Sequence, residues 1–90
     1  MGYMDLDLQA RYDPTTDSMI VGPGRPLGRL LTAFASLEVW GRLYEQGLSA
    51  ELLANAVRVP SAEWDLAERI LSPLGPVTLH PTSSTVTDPG

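Results

Sequence analysis

Apolar and polar residues alternate without a break from Met4 to Tyr12. Met4, Leu6, Leu8, Ala10 and Tyr12 share one side, and Asp5, Asp7, Gln9 and Arg11 share the other. A period of two is the mark of a half-buried β-strand. The stretch "DPTTD" follows, in which Pro14 presets a turn and the Asp13 side chain is placed to accept a local backbone hydrogen bond; the short apolar run Met19–Val21 comes next. Together these features predict a β-hairpin over residues 3–21. A lone two-stranded hairpin is marginal in water, so its apolar face needs a helix or another subunit to cover it.

The period changes after "GPGRPLG", residues 22–28, where two prolines remove backbone donors and the glycines permit a sharp corner. A helix is predicted from about 26 to 46, with Pro26 near its first turn and Gly47 as its stop. Its main apolar arc holds Leu27, Leu30, Leu31, Ala33, Phe34, Leu37, Trp40 and Tyr44, and Gly41 lies inside the arc, where another backbone could approach closely. Val39 and Leu43, four apart, form a smaller stripe on the opposite side. A helix apolar on two sides is covered on both, by its own domain or by a partner. On this pattern Val39 and Leu43 are expected to face another molecule, joined by Trp40, Tyr44 and Trp64, the aromatic types that dominate interface energetics.

A second helix is predicted over 50–57, with Ser49 as its N-cap, and a third over 61–72, opened by Pro60 or Ser61 and ended by Pro73 and Gly75. "VTLH", residues 77–80, has the character of a short strand able to join the hairpin. Residues 81–90 form a Ser/Thr/Pro tail with little to bury. The expected architecture is α+β within a single small domain, residues 1–80. It consists of an N-terminal hairpin, a compact three-helix bundle and an extended C-terminal arm.

Within that bundle, "LLANAVRVPSAEWDLAERIL", residues 52–71, has Leu53 and Ala54 on a first helix, Val59 closing a turn, Trp64 as an apolar anchor and Ile70–Leu71 returning to the core. Over residues 53–71 this resembles the helix-turn-helix of the repressor type. The resemblance implies a second helix presented to the DNA major groove, with Ser61, Glu63 and Asp65 towards the bases and Arg58 and Arg69 on phosphates. Arg58 stands where that turn usually has Gly, and Trp64 where Val or Ile is common.

Charge works against that use. Residues 61–71 hold Glu63, Asp65 and Glu68 against Arg69 alone, and the whole chain carries −5, with a pI near 4.5. Affinity for polyanions comes almost wholly from Lys and Arg, so nucleic acid and anionic lipid are disfavoured and a partner with a basic surface is favoured. All six cations are Arg. With 43% hydrophobic residues the ninety-residue chain is globular, while eight Pro and eight Gly commit much of it to turns and extended segments.

The chain has no Cys, which removes disulfides, thiol chemistry and Cys-based zinc sites. His80, its only histidine, precedes Pro81 and has no second ligand at metal-binding spacing. "GPGRPLG" is one residue too long for a dinucleotide-binding fingerprint, and no G-x-S-x-G elbow occurs. No catalytic residue, cofactor or metal is therefore expected. No apolar run reaches the roughly 20 residues that cross a bilayer, and the N-terminus lacks the basic and apolar regions of a signal peptide, so the expected compartment is the cytoplasm.

These features favour a small acidic protein-binding module that regulates, inhibits or helps assemble a larger complex through the first helix and the hairpin. Such a protein is a homo-oligomer or a subunit of a complex, similar in size and charge to phage-type inhibitors and antirepressors. The alternatives are a helix-turn-helix transcriptional regulator and a structural subunit of a shell or tail.

Overall fold

Strand β1 (Leu8–Asp13) keeps the alternation of the sequence, with Leu8 and Ala10 buried and Arg11 exposed. The computed structural model describes residues 7–80; Met4, Asp5 and Leu6, like the tail expected over 81–90, lie outside them. β1 turns through residues 14–17 into β2 (Ser18–Pro23), pairing antiparallel from Leu8–Pro23 to Asp13–Ser18. The hairpin is thus present where the period-2 pattern and the Asp-Pro turn predict it.

Its turn is held by side chains. The Asp13 carboxylate accepts from the Thr15 backbone N–H at 3.1 Å and from the Thr15 and Thr16 hydroxyls at 2.6 and 3.0 Å. Asp17 adopts φ +51°, a left-handed conformation that Asp tolerates better than most residues. Its carboxylate accepts from the Tyr12 hydroxyl at 2.7 Å and from the Ser61 hydroxyl at 3.0 Å, and its carbonyl accepts from the Ser61 N–H at 3.2 Å. The hairpin tip is thereby tied to a segment more than forty residues away.

Helix α1 (Gly28–Glu45) follows the glycine-proline corner and stops where Gly47 requires it. Gly47 takes φ +85°, and the Gly47 and Leu48 N–H groups donate back to the Tyr44 and Leu43 carbonyls, a Schellman ending in which Leu48 and Leu43 are both buried. Glu38 and Arg42 form an exposed i,i+4 ion pair at 3.1 Å on its surface, the type that contributes about 0.3–0.5 kcal/mol.

The helix expected at 50–57 is absent. Those residues form a second hairpin: β3 (Glu51–Leu52), a tight turn closed by the Leu53 N–H donating to the Ala56 carbonyl at 2.8 Å, and β4 (Val57–Pro60). The apolar run "LLANAV" suits a helix by local propensity, but Val57-Arg58-Val59 alternates, and β4 gains a pairing site on β2 through Met19–Val59 and Val21–Val57. Non-local pairing overrides the local preference. Glu51 and Arg58 face each other across β3 and β4 and join at 2.8 Å.

A 3-10 turn over Ser61–Glu63 leads into helix α2 (Trp64–Leu71), and a second 3-10 turn, Ser72–Leu74, leads out of it. Strand β5 (Val77–His80) then pairs parallel with β1 and completes a five-stranded mixed sheet in the order β3-β4-β2-β1-β5. The class is α+β as expected. A three-helix bundle it is not: α1 and α2 are the α-helices among the described residues, and the sheet occupies the place of the missing one.

Both helices contribute to one core with a single face of the sheet. Leu8, Ala10, Val21, Val57 and Val59 from the strands meet Ala35, Val39 and Leu43 of α1 and Trp64, Ala67 and Leu71 of α2. Burying each large aliphatic chain stabilises the fold by about 1.5–3 kcal/mol. The opposite sheet face carries Gln9, Arg11, Ile20 and Arg58, and among the described residues no helix lies over it, as antiparallel sheets commonly allow.

Candidate functional site on helix α1

Viewed down its axis, α1 has two apolar faces of different make. The inner one is narrow and built of Ala35, Ser36, Val39 and Leu43, all buried. Small side chains at 35 and 36 let the helix backbone lie close to the sheet. Trp40 leaves this face at an angle and donates its indole N–H to the Ala50 carbonyl at 3.1 Å, which fixes the entry into β3.

The outer face carries the larger side chains. Leu30, Phe34 and Tyr44 are 67%, 58% and 61% exposed, with Leu31 and Leu37 about half exposed. Leu30, Phe34, Leu37, Gly41 and Tyr44 succeed one another at intervals of four and three residues, the a/d spacing of a coiled-coil seam. Tyr44 stacks on Trp40 with ring centroids 4.8 Å apart and 20° between planes, which holds one end of the stripe rigid. Towards the C-terminal end of the stripe Gly41 has no Cβ, and an added one would meet nothing within 4 Å. The gap is part of a shallow depression of about 310 Å³, lined by Phe34, Leu37, Glu38, Gly41, Arg42 and Glu45. A row of exposed large apolar chains such as Leu30, Phe34 and Leu37 is unusual on the surface of a monomer, where patches beyond a few hundred Å² mark contact sites.

The residues expected to meet a partner are therefore redistributed. Val39 and Leu43 are fully buried in the chain's own core and present no surface. Trp64 is buried as well, at the start of α2. Trp40 is half-buried, and Tyr44 alone of the five is well exposed. The exposed positions lie instead on the main apolar arc: Leu30, Leu31, Phe34 and Leu37. Their alternating three-four spacing is legible in the sequence and is the signal that distinguishes a seam from the broader face of a core helix.

The residues to which the helix-turn-helix resemblance gave a DNA role are dispersed over different elements. Arg58 lies on β4 and pairs with Glu51. Ser61 is engaged by Asp17, and the Glu63 carboxylate accepts from the Ser49 N–H at 2.8 Å. Asp65 and Arg69 are exposed on α2. The first helix of the two-helix unit is the β3–β4 hairpin described above.

Hydrogen bonding at the hairpin tip tunes three of its groups. Hydrogen bonds from Thr15 and Thr16 hold the Asp13 carboxyl below the ordinary value of 3.8. Those from Tyr12 and Ser61 do the same for Asp17. The Tyr12 phenol is raised above 10.0, first by its hydrogen bond to Asp17. All three groups are solvent-exposed and serve the turn. Among the described residues no three His, Asp or Glu side chains gather into a metal site, and no helix is long and apolar enough to cross a membrane. Comparison with family models, curated proteins and solved structures finds no significant match to this chain.

Proposed function

We propose that this chain is a non-enzymatic protein-binding module, in which a five-stranded sheet serves as a platform and α1 is the element displayed to another polypeptide. It regulates or assembles a complex by occupying a helical surface of that polypeptide. The observation that carries this reading is the row of large apolar side chains exposed along α1 at heptad spacing, directly opposite the face that the sheet buries. These chains are about half to two-thirds exposed, so each forgoes on the order of 1 kcal/mol of the roughly 1.5–3 kcal/mol that full burial provides. Knobs at a and d positions fit the holes of a facing helix, and the net charge of −5 opposes nucleic acid and anionic lipid as alternatives.

The test is site-specific photo-crosslinking in the native host, with the photoreactive group placed at Phe34 or, on the uncovered sheet face, at Arg11. The Phe34 probe should yield discrete polypeptide adducts that disappear when Leu30→Glu is added one turn away, and the Arg11 probe should not. Adducts only to nucleic acid or lipid, or equal labelling from both positions, would show that α1 is not a protein-docking face.

A further inference from the structure

We infer that the occupant of the α1 stripe is a second copy of this chain, docked antiparallel about a two-fold axis that crosses the stripe between Phe34 and Leu37. This rests on the reading of α1 as a docking face and adds the identity of what covers it. Three properties of the helix support it.

The first is size. A large side chain carries on the order of 200 Å², so Leu30, Leu31, Phe34, Leu37 and Tyr44 at their observed exposures offer at most on the order of 600 Å². A symmetric pair then buries up to on the order of 1,200 Å², the lower end of stable specific interfaces. The 18 residues of α1 supply a seam about 27 Å long.

The second is shape. In the antiparallel arrangement Leu30 of one copy lies over Gly41 of the other, Phe34 meets Leu37, and Ala33 sits beside Trp40. The Leu30 side chain then fills the depression at Gly41. A parallel pairing would set Gly41 against Gly41 and Phe34 against Phe34, leaving a gap and a collision in successive layers.

The third is charge. Arg29 stands in the first turn of α1, which holds no acid, and Glu45 stands in the last turn beside Arg42. Arg29 and Glu45 are each the wrong sign for the dipole of their own helix, which favours anions at the N-terminus and cations at the C-terminus, while Arg42 has the favourable sign and is paired with Glu38. Beside an antiparallel copy, Arg29 lies near the C-terminal end of the neighbouring helix and Glu45 lies near its N-terminal end and its Arg25. The misplacement within one helix becomes complementarity between two. A parallel pair would gather Arg25 and Arg29 of both copies at one end.

The experiment is sedimentation velocity on the full chain over a dilution series reaching about 100 µM, well above a micromolar Kd. Wild type should shift from 9.7 kDa towards twice that mass. Leu37→Glu should remain monomeric throughout. Gly41→Leu, for which the isolated chain has room, should weaken association at least tenfold with an unchanged circular-dichroism spectrum. Because the chain has no Cys, direction can be read by oxidation: Leu30→Cys chains mixed with Gly41→Cys chains should form the crossed disulfide in preference to either like pair. A wild-type chain that stays at its monomer mass would overturn the inference while leaving the photo-crosslinking test of the docking face to decide the broader reading. Like-with-like disulfides in excess would overturn the antiparallel arrangement.

Discussion

The two faces of α1 differ in bulk and have opposite fates. The inner face is small and interrupted, including a serine, yet it is wholly buried; the outer carries more and larger side chains and is exposed. What separates them is fit. The sheet presents a filled surface of Leu8, Ala10, Val21, Val57 and Val59, with α2 closing one side, and only a helix face with short side chains can come down onto it at close-packed density. Side-chain bulk, which raises the apparent hydrophobicity of the outer stripe, keeps that stripe out of this core and suits it to the wider spacing between two helices.

The sharpest way to break this contrast is to load the inner face. Val39→Glu with Leu43→Glu should abolish folding, read as loss of the circular-dichroism signal, and Leu43→Ala alone should cost about 2–5 kcal/mol in urea unfolding. Had these residues faced a partner, the fold would survive both. Ser36→Ala tests the same face at smaller scale. The Ser36 hydroxyl is buried with no hydrogen-bond partner among the described residues, so its removal should raise stability by about 1 kcal/mol.

On the outer face, Leu37→Glu and Phe34→Ser should change the stability of the dilute monomer by no more than about 0.5 kcal/mol, measured by the same urea titration. The identical chemical change is thus severe on one side of a helix and nearly silent on the other. A cost comparable to that of Leu43→Ala would place the stripe in the core after all.

The smallest effect expected is that of pH on the hairpin tip. Asp13 and Asp17 are held below 3.8 in the fold, so their contribution is complete above that value and is lost as the pH falls through the lower folded values. Tyr12, raised above 10.0, contributes below pH 10 and loses its contribution as the pH rises through its folded value. Stability should decline gently at both extremes, and Asp17→Asn should flatten both limbs when the unfolding midpoint is followed by tryptophan fluorescence.

Elements whose causes are local were legible in the chain. Alternation to Tyr12 and the Asp-Pro turn announced the first hairpin, Gly47 announced the end of α1, and "VTLH" was read as a strand that joins the hairpin, as β5 does. Residues 50–57 differ because Leu, Ala and Glu favour a helix within any short window, whereas the decisive interaction is the pairing of Val57 and Val59 with a strand formed by residues 18–23. No local statistic contains that partner.

By itself, then, the sequence determined the α+β class, the N-terminal hairpin, the single long helix and the negative charge, all of which depend on neighbours a few residues apart or on composition alone. Tertiary structure decided that the second hairpin exists and which side of α1 turns inward. Hydrophobicity states only that a face prefers to leave water. Whether it packs against the chain's own sheet or against a second molecule is settled by the shapes of surfaces that distant segments bring together.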